Sequence, residues 1–332
     1  MIDKNIPFIQ GLLEPYGRVD YLSEPEMTPE AVCDADALLV RTRTKCGEAL
    51  LGASKCRFVG TCTIGTDHLD LPWLASRGIV AANAPGCNAP AVAQYVFASI
   101  LRLHNRPLSQ YAIGIVGVGN VGKIVERWAR QLDMKVMVND PPRQAAEGGG
   151  QWSSLEEIAE KADIITFHTP LDNSTRHLAD EAFFNSLRRA PIIINAARGP
   201  IVDNSALVEA IAGGKVSHAV IDCWEGEPSD LNPRLLELAD IATPHIAGYS
   251  YEGKVRATRM ALDALCRALS LPHIEMVQKA PAGAAESVNA KSIMQSYDPL
   301  ADTKMLKANP KDFEDMRNHY ILRHEASVGK ID

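Results

Sequence analysis

The run Gly117-Val118-Gly119-Asn120-Val121-Gly122 follows an apolar stretch and opens a helix-periodic one. Glycines at its first, third and sixth positions suit a turn from strand to helix. The first permits the tight turn, the second lets backbone approach a phosphate, and the third lets helix pack on strand. A helix beginning there points its unpaired N–H groups at an anion. Asp140 follows the next apolar run, about 20 residues on, where a carboxylate accepts from both hydroxyls of a ribose and repels a 2′-phosphate. A glycine turn alone often serves only packing, and a strand-end aspartate is often only solvated. Together in this order they predict a dinucleotide site that prefers NAD to NADP, held by Gly117, Gly119, Asn120, Val121, Gly122 and Asp140.

Three later polar segments each follow an apolar run: Asn195-Ala196-Ala197-Arg198-Gly199, Asp222-Cys223-Trp224-Glu225-Gly226-Glu227-Pro228 and Thr243-Pro244-His245-Ile246-Ala247-Gly248. At the carboxyl ends of parallel strands such segments line the ligand crevice. Oxidation of a secondary alcohol needs a base for the hydroxyl proton, a cation for a carboxylate and developing oxyanion, and an acid to orient the base. His245 suits the first task, Arg198 the second and Glu227 the third. Singly, a histidine after proline is more often a capped loop residue, a strand-end arginine a surface ion pair, and a glutamate before proline part of a turn. Three in order behind a dinucleotide turn reinforce one another. Arg41, Arg43 and Lys45 stand together after another strand-like run and are candidates for an anionic group of the substrate, with a solvated basic loop as the plain alternative.

These residues need a scaffold that brings strand ends to one edge. Ala37–Val40, Phe58–Gly60 and Ile79–Ala82 read as strands alternating with helices at Thr28–Val32 and Leu71–Arg77, with Pro7–Leu13 also helix-like. The first strand is curtailed at Met1–Ile2, so the sheet has a short edge there or residues are missing. A helix over Ala91–His104, with Asn88 as cap, leads into strands at Ala112–Val118, Lys135–Asn139, Asp163–Phe167, Pro191–Asn195 and Ala219–Asp222. Runs apolar throughout belong to strands covered on both faces. The triple-glycine stretch Arg143–Gln151 reads as a flexible connector, Ser153–Glu156 as a capped helix start, and Glu252–Leu269 as an amphipathic helix returning to the first lobe. The fold class is α/β: two Rossmann-like or flavodoxin-like lobes with parallel sheets, plus a small C-terminal dimerisation appendage. The lobes are residues 1–90 completed by helix 252–270, and residues 91–251. The remaining 271–332, with a helical stretch at Phe313–Glu325, is the segment expected to form a dimer contact.

A net charge of -7 argues against a nucleic-acid or anionic-membrane surface. No apolar run reaches the roughly 20 residues of a membrane span, and a signal peptide is not evident, so a cytoplasmic location is expected. The seven cysteines are scattered without any Cys-x-x-Cys pair, which indicates neither a disulfide framework nor a metal site.

The glycine turn and the three rim segments, with Gly65-Thr66-Asp67-His68 and Ala84-Pro85-Gly86-Cys87-Asn88 before them, resemble the D-2-hydroxyacid dehydrogenase family across roughly residues 1 to 270. The resemblance implies Arg198, Glu227 and His245 as the catalytic set. It implies Asp140, Thr169, Ala196, Ala197, Arg198, Asp222 and Gly248 near NAD, and Thr42, Thr63 and Tyr249 at the substrate, with backbone N–H groups near Ile64 and Gly65 on its carboxylate. The expected partner is a small phosphorylated 2-hydroxy acid, its phosphate on Arg41 and Arg43, and the expected assembly a homodimer. Another 2-hydroxyacid dehydrogenase, acting on 3-phosphoglycerate or glyoxylate, shares the trio. A non-catalytic NADH-sensing scaffold shares the fold.

Overall fold

Five short parallel strands form the sheet of the first unit, which comprises Met1–Asn88 and Ser250–Gly283. They are β1 (Ile2–Asp3), β2 (Tyr21–Leu22), β3 (Ala37–Val40), β4 (Phe58–Thr61) and β5 (Val80–Ala82), in the order β2-β1-β3-β4-β5. The computed structural model describes residues 1–326. Alternation along β3 and β4 sends Leu39 and Phe58 to one face, against Val255, Leu262 and Leu265 of the helix Tyr251–Leu269. Leu38, Val40 and Val59 face the other side, against Leu50, Leu51 and Leu74. Thr28 and Asp70 cap the short helices Pro29–Val32 and Leu71–Ser76 by accepting from Ala31 N and Trp73 N. The helix expected at Pro7–Leu13 is a series of turns instead. Phe8 and Gly11 hold positive φ of 63° and 82°, which no right-handed helix accommodates.

The second unit comprises Ala89–Tyr249 and residues 284–326. Its strands are β6 (Ala112–Val116), β7 (Lys135–Asn139), β8 (Ile164–Phe167), β9 (Ile192–Asn195), β10 (His218–Ile221) and β11 (Ile241–Ala242). All pairings are parallel and the order is β11-β10-β9-β8-β6-β7. The chain leaves β6 toward β7 and returns to β8 on the other side. The β6/β8 boundary is therefore the switch point at which open sheets leave a crevice at their carboxyl edge. Ile113, Ile115, Ile164, Ile192, Ile194 and Val220 pack on one face, while their neighbours Val116, Ile165, Phe167, Ile193 and Ile221 pack on the other. The helix Ala89–Leu103 is buried on nearly every side, as its apolar composition demands.

Two sequence expectations change here. The connector Arg143–Gln151 begins inside a helix, Pro141–Glu147, because Asp140 caps it by accepting from Arg143 N. The C-terminal segment is no separate appendage. Residues 284–326 pack into the second unit through the helices Ala290–Ser296, Pro299–Ala308 and Phe313–Asn318. Val288, Ile293, Tyr297 and Ala326 complete the core on one face of the sheet, and Leu306 and Phe313 complete it on the other. The helix expected over Phe313–Glu325 stops at Asn318, and residues 327–332 of the segment lie outside the described residues. No helix among the described residues is long and apolar enough to cross a membrane.

Candidate active site

The glycine turn leaves β6 at the switch point. Gly117 holds φ of 88°, and a Cβ on it would lie 2.7 Å from Thr169 N and 2.8 Å from His168 C, because β8 runs alongside. A Cβ on Gly122 would lie 2.1 Å from Gly117 O, so the helix Asn120–Gln131 returns directly over the turn. Gly119 is different: nothing stands within 4 Å of its missing Cβ, and it starts the helix with no side-chain cap. That leaves an open approach to the helix N-terminus. Asp140 is set by two backbone donors, Val118 N at 2.8 Å on Oδ2 and Arg143 N at 3.0 Å on Oδ1, and stays part-exposed. Beside the turn, Thr169 Oγ1 is buried with no partner among the described residues. An open phosphate cradle, a fixed carboxylate and an unsatisfied hydroxyl fit a dinucleotide.

The three rim segments lie at the ends of β9, β10 and β11. Asn195 shapes the first, donating from Nδ2 to Arg198 O at 3.0 Å and Gly199 O at 3.3 Å and accepting from Ala197 N at 3.2 Å. Arg198 Nη1 donates to Ala197 O at 2.7 Å. A Cβ on Gly199 would fall 2.1 Å from Trp224 O, so the first two segments press backbone to backbone at that point. His245 Nδ1 meets Glu227 Oε1 at 2.5 Å, and Glu227 Oε2 accepts from Trp224 N at 2.9 Å. The other acid of the segment, Glu225, is occupied elsewhere, by His177 Nε2 at 2.7 Å and Asn204 N at 3.1 Å. His245 and Glu227 keep 27% and 24% of their side chains exposed.

Electrostatics sharpen the pair. Burial alone would lower the His245 imidazole, but Cys223 and the Glu227 carboxylate beside it outweigh burial and hold it well above its ordinary value. Burial would raise Glu227, yet the His245 charge and the hydrogen bonds from His245 and Trp224 N hold it below the usual carboxylate range. Cys223, buried next to them, donates to Ala197 O at 3.4 Å, and burial pushes its thiol up.

Asp222, expected at the cofactor, is 1% exposed and holds the His245 segment. It accepts from Thr243 Oγ1 at 2.6 Å, Ile246 N at 2.8 Å and Ala247 N at 3.0 Å. Thr243 in turn meets Tyr95 OH at 2.8 Å, and its carbonyl accepts from Trp224 Nε1 at 2.9 Å. His245 itself is held at a positive φ of 55°. Asp222, Thr243, Tyr95 and Trp224 thus set the His245 segment, and sequence reasoning missed all four in that role. A tyrosine inside an otherwise apolar helix and a tryptophan just after a strand, each with a polar group that must find a partner when buried, are the signals that could have found Tyr95 and Trp224.

Of the remaining expected residues, Ala196, Ala197 and Gly248 are half-buried on the same rim as Arg198 and His245. Thr42, Thr63, Arg41 and Arg43 belong to the first unit. Thr63 Oγ1 shares a 2.7 Å hydrogen bond with Thr61, which also meets His68 Nε2 at 3.0 Å. Thr42 and Arg43 are exposed and Arg41 is half-buried. Tyr249 lies in the second unit, edge-on to Tyr320 with ring centres 5.9 Å apart.

Residues 92–247 match the family described as D-isomer specific 2-hydroxyacid dehydrogenase, NAD binding domain. The chain belongs to that family of oxidoreductases, and its cofactor is NAD. More particularly, it is 45% identical over 343 residues to the erythronate-4-phosphate dehydrogenase of Bacteroides thetaiotaomicron, spanning 100% of this chain and 98% of that protein. The erythronate-4-phosphate dehydrogenase of Escherichia coli is 40% identical, over 98% of this chain and 92% of its own length. Among solved structures, the D-lactate dehydrogenase from Aquifex aeolicus complexed with NAD and lactic acid shares the fold. It matches with a TM-score of 0.70 at 24% identity, covering 81% of this chain and 95% of its own.

Proposed function

We propose that the chain oxidises 4-phospho-D-erythronate at C2 to 3-hydroxy-2-oxo-4-phosphooxybutanoate with NAD, a step toward pyridoxal 5′-phosphate. The single observation that carries this reading is the 2.5 Å contact of His245 Nδ1 with Glu227 Oε1, on the strand-end rim that also bears Arg198. With Nδ1 committed to Glu227, His245 Nε2 takes the proton of the C2 hydroxyl. Arg198 holds the substrate carboxylate and the negative charge that develops on the C2 oxygen. NAD, when bound, accepts the hydride from C2. The helix start at Gly119, Asn120 and Val121 holds its pyrophosphate, Asp140 its ribose, and Thr169, Ala196, Ala197 and Gly248 line its place. Thr42, Thr63 and Tyr249 meet the substrate, and Arg41 and Arg43 take its phosphate, which leaves unchanged with the product.

The name shared by relatives at 40–45% identity supports the choice of substrate. The test is turnover of the purified chain, read as NADH formed, on 4-phosphoerythronate, 3-phosphoglycerate and glycolate. Activity confined to either of the last two overturns the substrate. NADH binding with no turnover on any acid favours a sensing scaffold instead. Arg41→Ala and Arg43→Ala should raise KM for the phosphorylated acid more than for a non-phosphorylated analogue, and equal effects would remove them from the phosphate. A homodimer completes the reading, and sedimentation at micromolar concentration checks it.

A further inference from the structure

One cation of the second unit is buried where an apolar side chain would be expected. Arg323, in the C-terminal segment, is 9% exposed, and a guanidinium has five N–H donors to satisfy. Nε donates to Gln94 Oε1 at 3.1 Å. Nη1 donates to Ile246 O at 3.1 Å and Tyr320 OH at 3.2 Å. Nη2 donates to Ala247 O at 2.5 Å and Ala91 O at 3.3 Å. Every donor is used, and two of the acceptors are the carbonyls of the residues directly after His245. The plane of the guanidinium lies over the Tyr297 ring, 4.1 Å from its centre. Tyr297 and Tyr320 both donate to Asp302, which places a carboxylate in the same cluster without spending a guanidinium donor on it.

The N–H groups of Ile246 and Ala247 are held by Asp222, so this two-residue stretch is gripped from both sides: a carboxylate takes its donors and Arg323 takes its acceptors. The same stretch follows the strained φ of His245, a conformation that persists only where its surroundings over-determine it. Gln94 Nε2 locks the far side of the clamp, donating to Ser296 Oγ at 2.7 Å and His324 O at 2.9 Å.

We infer that Arg323 is a positioning residue for the reaction: it fixes the Ile246 and Ala247 carbonyls so that the imidazole of His245 stays on Glu227. The inference rests on the reading of His245 as the base. A role for the C-terminal segment follows, since the segment then supports the chemistry from within its own chain in addition to any contact between copies. A lysine keeps the charge, but its three donors on one nitrogen cannot span acceptors on the helix Ala89–Leu103, the His245 segment and Tyr320 together.

The experiment compares Arg323→Lys, Arg323→Met and His245→Gln with the parent chain in steady-state kinetics from pH 6 to 10, with NADH affinity by fluorescence as the check on the cofactor half. Around the base, Glu227, Cys223 and Asp222 face His245, and Arg317 faces Glu227. Around Arg323 stand Tyr297, Tyr320 and Asp302. All are unchanged in the variants. The expected result is a kcat lowered about 10-fold in Arg323→Lys and more in Arg323→Met, with NADH affinity within about twofold and the pH inflection of kcat moved toward that of an ordinary imidazole. If Arg323→Met fails to fold, Arg323→Lys decides alone. Parent kcat and pH profile in a folded lysine variant overturn the inference, as does a loss of NADH affinity in proportion to kcat, which marks general loosening. Failure of both variants to fold also overturns it, because the arginine is then a determinant of folding. If His245→Gln retains turnover, the underlying reading fails separately.

Discussion

His245 and Glu227 hold each other in opposite charge states, and this fixes their response to pH. A base held above its ordinary 6.5 contributes stability that is fully present below 6.5 and is lost as pH rises through its folded value. An acid held below its ordinary 4.5 contributes stability that is fully present above 4.5 and is lost as pH falls through its folded value. Both contributions are complete only between those ordinary values. The Tm advantage of the parent over Glu227→Gln should therefore be largest near pH 5 to 6 and shrink toward pH 9, and a constant gap across thermal melts would contradict the pairing. With His245 as the proposed base, oxidation needs the neutral imidazole, so kcat should rise with pH. Glu227→Gln should move that rise to lower pH while lowering the maximum by about 10²-fold, within the range of a positioned general base. His245→Gln should lose about 10²- to 10⁴-fold in kcat with little change in NADH affinity. Asp140→Ala should relax the discrimination against NADP, measured as the ratio of kcat/KM for the two cofactors. An unchanged ratio places that choice elsewhere.

At the scale of elements, catalysis depends on how strand ends are tied together. The turn after β9 and the segment after β10 touch at Gly199, where any side chain would enter the Trp224 carbonyl. Gly199→Ala should cost about 1–3 kcal/mol of stability, as overpacking does, and should also displace Arg198, so denaturant unfolding and kcat fall together. A variant with normal stability would show that the contact relaxes cheaply. Glu225 and Glu227 stand two residues apart in one segment, yet the fold directs Glu225 to His177 and Glu227, the acid expected from the sequence, to His245.

For the molecule as a whole, the C-terminal segment is the main surprise. Its composition suggested an attachment, yet it fills both faces of the second sheet and sends Arg323 beneath the His245 segment. Phe313 is fully buried, so Phe313→Ala should cost about 3–5 kcal/mol in chemical unfolding. A loss below about 1 kcal/mol would return the segment to the status of an appendage. The segment escaped sequence reading because its apolar residues are sparse and follow no single period. Each completes a gap whose shape is set by residues far away in the chain.

The sequence by itself determined the parallel α/β scaffold, the glycine turn with Asp140, and the order of Arg198, Glu227 and His245. These follow from local rules: apolar runs sized for buried strands, glycines where backbone must approach backbone, and polar segments where strands end. Tertiary structure alone decided that Asp222 holds a loop and that a tail arginine satisfies that loop's carbonyls. Those outcomes depend on hydrogen bonds between groups as much as 232 residues apart, such as Arg323 with Ala91, and no local spacing encodes which distant donor will meet which acceptor.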